Sequence, residues 1–216
     1  MPQPARVTKK EMVTAFRTQE ILAAARRVLA RRGLEAMTME DIAQAAGVAK
    51  GTLYVYFRGK EDLLQALMSQ VGEQIIFDLE GILAGPGPPP EKVRQIVAMM
   101  LSHLRRERLL FPAYARELLR GGPQHPSGRW AQVQALEDRF VSLVTDLFAQ
   151  GIAGGDFIPA NPRLLTYLLR SMVRAVGYYQ LTAGQDAAVD EALPVVQALL
   201  LSGLTPVSEI VREAAP

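Results

Sequence analysis

Apolar residues return at three- and four-residue spacing through one stretch of this chain after another, and the pattern predicts an all-α protein of about nine helices. The first runs from about Glu11 to Arg32 on Phe16, Ile21, Leu22, Ala25, Val28 and Leu29, with Gly33 as its C-terminal cap. A short second helix starts at Met39 behind a Thr38-x-x-Asp41 capping pattern and buries Ile42, Ala43 and Ala46. Gly47 ends it, because a tight turn between crossing helices needs a residue that tolerates positive φ. The third helix spans about Lys50 to Phe57. Its wheel pairs Leu53 with Phe57, Lys50 with Tyr54 and Thr52 with Tyr56, giving one core face and two polar or aromatic ones. A long fourth helix follows from Glu61 to about Leu83 on Leu63, Leu67, Val71, Ile75, Leu79 and Ile82.

GPGPPP at 85–90 reads as a stiff extended link. Beyond it, helices are expected from Glu91 to about Glu107, from Leu109 or Pro112 to Arg120, and from Arg129 to about Gln150. GGPQHPSG at 121–128 breaks the chain between the last two. GIAGGDFIPANP at 151–162 is a loop. Arg163 to about Ala183 and Leu193 to Leu204 complete the set, with Pro194 in the first turn of the last helix. These two helices are apolar over more than one face, and burial against a second copy would satisfy both. The residues assigned to that homodimer contact are Leu165, Leu168, Met172, Leu193, Val196 and Leu200.

Charge changes the picture, because it is not spread evenly. Residues 1–60 hold 11 Lys/Arg against 5 Asp/Glu, while residues 61–216 hold 13 against 17, for a whole-chain net of +2. The basic third carries the Gly-turn helix pair. Phosphate neutralisation needs that coincidence, and a basic arm at Met1–Lys10 adds to it. Cysteine is absent and the only imidazoles are His103 and His125, so a thiolate metal site and a disulfide framework are excluded and no metal is assigned. No secretory leader or run long enough to span a bilayer is seen, and a cytoplasmic protein with no membrane partner is expected.

T-x-x-D-I-A-x-x-A-G-V-x-x-G-T-L-Y-x-Y-F-x-x-K-E-D-L, from Thr38 to Leu63, resembles the signature of the tetracycline-repressor (TetR) family of bacterial transcription regulators. The resemblance implies an N-terminal three-helix helix-turn-helix DNA-binding domain at 1–60 and a helical effector-binding and dimerisation domain at 61–216. It implies DNA contacts for Thr38 at a helix N-terminus, for Lys50 and Tyr54 on base edges, for Gly51 by close backbone approach, and for Thr52, Tyr56 and Lys60 on backbone phosphates. In that family the protein is a homodimer and the later helices hold an inducer. Candidate lining residues here are Met100, His103, Phe111, Tyr114, Trp130, Phe140, Tyr167, Arg174 and Tyr178, with Arg105 and Arg170 as further polar candidates, a largely apolar set that suits a lipophilic acyl or aromatic effector with an Arg for its acid group.

The expected function is therefore a ligand-responsive repressor that binds a near-palindromic double-stranded operator as a dimer. A regulator controlled by a protein partner instead of a small molecule fits the same head, and a helical carrier or enzyme with a vestigial head stands as a third reading. No Gly-rich phosphate loop, Ser elbow or paired carboxylates of catalytic geometry are found; adjacent Glu137 and Asp138 point apart on a helix. No catalytic residue and no cofactor is assigned.

Overall fold

Thr8 opens the structure, a computed structural model that describes residues 8–119, 128–183 and 188–204. Residues 1–7 of the basic arm and residues 121–127 of the GGPQHPSG break, His125 among them, lie outside the described residues. Every described element is an α-helix. Helix α1 spans Lys9–Ala36, α2 Met39–Ala46, α3 Lys50–Tyr56, α4 Lys60–Ala84, α5 Pro89–Arg106, α6 Phe111–Leu119, α7 Arg129–Gly154, α8 Pro162–Ala183 and α9 Ala188–Leu204.

The contacts divide the chain into two units, Met1–Met68 and Ser69–Pro216, so α4 contributes its first turns to one and the rest to the other. In the first unit, Ile21, Ala25 and Val28 of α1, Ile42 of α2, Leu53 of α3, Phe57, and Leu63 and Leu67 of α4 are all buried. In the second, Leu79 of α4, Val93, Ile96, Val97 and Leu101 of α5, Val144 and Phe148 of α7 and Leu169 of α8 form the centre of one core.

Four boundaries differ from the periodicity reading, each for a local reason. Thr8 caps α1 two residues before its expected start, in a reciprocal box with Glu11, and Gly33 kinks the helix at φ 75° without ending its last turn. Pro89 and Pro90 belong to α5, because proline costs nothing in a first turn where the N–H has no partner. Pro194 lies inside α9, which starts at Ala188 so that Asp190 and Glu191 sit at its positive end. Gly151 does not stop α7, which runs on to a left-handed cap at Gly155.

Gly151 is there for contact instead. A Cβ on it would stand 2.3 Å from the Phe157 ring, which itself packs on Phe148 at 5.6 Å between centroids. Gly151→Ala is expected to destabilise the protein by about 1 to 3 kcal/mol through overpacking. Thermal unfolding checks it; an unchanged midpoint would mean that the ring yields freely.

The outer surface of α8 carries Leu164, Leu168 and Tyr179 at 56, 45 and 51% exposure, and α9 adds Val195 and Leu199 at 55 and 63%. Ser171, Ala175 and Ser202, also exposed, fill the intervals with small side chains. Leu165, Val196 and Leu200, assigned above to self-association, are buried in the unit's own core, and Met172 and Leu193 pack against it; of that set Leu168 alone is open. Apolar residues on neighbouring faces of one helix look alike in sequence, and the structure separates them.

Candidate functional site

The head is built by local chemistry. Thr38 accepts from the Asp41 amide at 3.2 Å while its own amide and hydroxyl donate to the Asp41 carboxylate at 3.2 and 2.7 Å, which fixes the start of α2. Those hydrogen bonds, outweighing its partial burial and helped by Arg32 and Arg31, hold the Asp41 carboxyl below the usual carboxylate range. Gly47 turns the chain at φ 66°, with its N–H on Ala43 and Gln44. Arg27 donates to the Ala45 carbonyl at 3.0 Å and Arg32 pairs with Asp41 at 3.2 Å, so two of the α1 arginines hold α2, one near each end.

Leu53 and Phe57 anchor α3 without exposure, and this rotation turns Lys50, Gly51, Thr52, Tyr54 and Val55 to solvent, with Tyr56 half-buried beside them. Val55, at 81%, was not singled out in the sequence, where a β-branched residue between two tyrosines gives no sign of its face. Lys50 donates to Glu40 of α2, and that hydrogen bond with the attendant charge holds Lys50 above and Glu40 below their ordinary values. Lys60 reaches back to donate to the Leu34 and Glu35 carbonyls at 2.5 and 3.3 Å, past the α1 kink.

In the second unit the candidate lining residues fall into groups. Phe111 meets Tyr178 edge-on at 5.7 Å and Tyr114 at 6.2 Å. The Arg174 guanidinium lies over the Tyr114 ring, while that of Arg170 lies over the rings of Phe140 and Tyr167, at 5.8 and 5.9 Å from their centroids. Both arginines pair with the Glu137 carboxylate, Arg174 at 3.3 Å. Tyr114 donates to Glu137 at 2.8 Å and accepts from Arg174 at 2.8 Å. Gly177 of α8 leaves the room, since a Cβ there would stand 2.4 Å from the Phe111 ring.

Met100 packs on the main core, and Trp130 is buried near the start of α7. His103, 4% exposed, shares a 2.7 Å hydrogen bond with Asp78 of α4. Burial pushes the Asp78 carboxyl up, but hydrogen bonds from His103 and Gln74 and the charges of His103 and Arg106 outweigh it and leave the group below its ordinary value. Arg170 was a polar candidate from the sequence, one turn from Arg174 on an otherwise apolar helix, whereas Glu137 was not among the candidates.

Among the described residues, no group of three or more His, Cys, Asp or Glu side chains could hold a metal, and no helix is long and apolar enough to cross a membrane.

Comparison with known proteins gives two family matches: "Bacterial regulatory proteins, tetR family" over residues 21–67 and "Tetracyclin repressor-like, C-terminal domain" over residues 86–178. Together they span well over half of the chain. The transcriptional repressor KstR2 of Mycolicibacterium smegmatis is 25% identical over 88% of this chain and 92% of its own. The fatty acid metabolism regulator protein of Bacillus subtilis is 26% identical over 63% of this chain and 69% of its own. The fold matches that of the transcriptional regulator FadR from Bacillus subtilis in complex with stearoyl-CoA, with a TM-score of 0.70, 24% identity and coverage of 86% of this chain and 98% of that one.

Proposed function

The chain belongs to the TetR family of bacterial transcription regulators, and from that premise we propose that it is an effector-responsive repressor. It works in the cytoplasm as a homodimer on a near-palindromic double-stranded operator, with residues 1–60 as the DNA-binding part and 61–216 as the effector-binding and dimerisation part. The observation that carries the reading is the outward face of α3, where Lys50, Thr52, Tyr54 and Val55 stand clear of a core sealed by Leu53 and Phe57.

Lys50 reads a guanine edge, and Tyr54 and Val55 offer apolar contact to thymine methyls. Thr38, Thr52 and Tyr56 hold phosphates, Gly51 lets the backbone approach, and Lys60 adds a phosphate contact from its place at the α1 kink. Lys50 must leave Glu40 to reach a base. Both partners are exposed, so the exchange costs little and less still in salt.

Lys50→Ala and Tyr54→Ala are each expected to weaken specific binding roughly fivefold to a hundredfold while leaving random duplex nearly untouched. Lys60→Ala should weaken both alike and flatten the salt dependence by about one unit in its logarithmic slope. Selection of bound fragments from the source genome supplies the operator, and anisotropy titrations compare the variants on it. Equal losses on both duplexes for Lys50→Ala and Tyr54→Ala would remove them from base reading.

The effector is a small lipophilic molecule of acyl or aromatic type. Phe111, Tyr114, Phe140, Tyr167 and Tyr178 supply apolar surface and Arg174 a cation, while Met100, His103 and Trp130 extend the lining. The fatty acid regulator relative, and the like-folded regulator with stearoyl-CoA bound, motivate acyl compounds as first probes.

A further inference from the structure

Two guanidiniums meet a single carboxylate where α6, α7 and α8 come together, and among the described residues no second anion pairs with either of them. Arg170 is 7% exposed. Burial, with the neighbouring charge of Arg174, lowers its pKa to about 10, which still leaves it cationic at neutral pH. A buried cation needs a matched counter-charge, and here Glu137 serves two. The side chains of Glu137 and Arg174, at 29 and 25% exposure, leave that end of the cluster open to solvent. Around the charges stand the faces of Phe140, Tyr167 and Tyr114, so the charged centre has an apolar collar.

We propose that Glu137 is an internal stand-in for the effector's own anion: an amphiphile bearing a carboxylate or phosphate displaces the Glu137 carboxylate from Arg170 and Arg174, with its apolar body along the α7 face. The proposal rests on the effector-responsive reading and adds the chemical class and the group displaced. Tyr114 suits the exchange, because its hydroxyl already accepts from Arg174 and can turn its proton from Glu137 to an incoming oxygen. A separate observation marks the same face. Trp130 precedes Glu137 by seven residues, two helical turns or roughly 10 Å, and its buried indole N–H has no acceptor among the described residues. A buried donor left unmet is uncommon, and an oxygen of a bound ligand would meet it.

Three probes test the proposal: stearate, stearoyl-CoA and the uncharged stearyl alcohol. Affinities come from calorimetry, and the emission of the chain's single tryptophan reports at Trp130 itself. The wild-type protein should bind at least one anionic probe about tenfold tighter than the alcohol, with a shift in tryptophan emission, since a hydrogen bond to a charged group is worth about that factor. Which anionic probe wins tells a carboxylate from a phosphate source. Glu137→Gln should widen the preference about tenfold further, and the anionic probe should raise the melting temperature of this variant more than that of the wild type.

Arg174→Gln removes the surplus charge and leaves one cation facing one carboxylate, so it keeps the test alive if Glu137→Gln does not fold. Its preference should fall toward none. A Glu137→Gln variant that loses affinity for all three probes equally, or an Arg174→Gln variant with an unchanged preference, would show a purely structural ion cluster and overturn the proposal. Operator release by the alcohol alone would overturn it too, yet leave the effector reading standing. Binding of none of the three would overturn both for this chemical class.

Discussion

Leu168→Arg and Leu199→Arg are each expected to leave a folded chain that sediments as a monomer and loses its operator. Both residues stand open in the single chain, at 45 and 63% exposure, on a surface where Leu164, Tyr179 and Val195 are open as well. A stripe of that kind marks an association surface, and the small residues between its large ones let two helix pairs approach. Arginine there would be solvated in the monomer but unpaired in the dry interface of a dimer, so the cost falls on assembly alone. Leu200, at 5%, is the control: an arginine in its place breaks the core and should unfold the protein. Losing the second head removes the gain of simultaneous engagement, and operator affinity should fall about a hundredfold to ten-thousandfold. Sedimentation equilibrium beside circular dichroism decides it. Variants that stay dimeric at micromolar concentration would place the interface elsewhere.

How far the sequence carried depended on the range of the forces involved. The capping box at Thr38, the left-handed Gly47 and the core pair Leu53 and Phe57 were legible because each is settled within a few residues. Gly151 and Pro194 were misplaced for the opposite reason. One is a glycine because Phe157 needs the space, and the other is a proline inside a helix whose start is set by acidic residues before it. The apolar surplus of α8 and α9 was plain, but which side faces inward depends on partners distant in sequence: Leu165 lies in the unit's own core while its neighbour Leu164 is open. Glu137 was read only against Asp138, its neighbour along the helix. Its partners Tyr114, Arg170 and Arg174 lie 23, 33 and 37 positions away, a pairing that periodicity cannot show.

Operator DNA is expected to weaken effector binding by the same factor by which effector weakens operator binding, about 5- to 150-fold. That equality follows from linkage once two sites bias one conformational equilibrium, and the size follows from coupling energies of about 1 to 3 kcal/mol. Helix α4 is the element to perturb, because its residues Lys60–Ala84 belong to both units. On it, Gln74 donates to Asp78 at 2.8 Å and Asp78 holds His103 of α5, so the exposed outer turn is tied to a buried group. Gln74→Gly removes that tie and adds backbone freedom, at about 1 kcal/mol of stability. If α4 transmits the effector's preference, this variant should keep most of its operator affinity and lose most of its response to effector. The effector probe is titrated against wild type and Gln74→Gly, each with and without operator. Equal effector affinity in the two wild-type titrations would mean that no switch exists, and an undiminished difference in the variant would move the coupling away from α4.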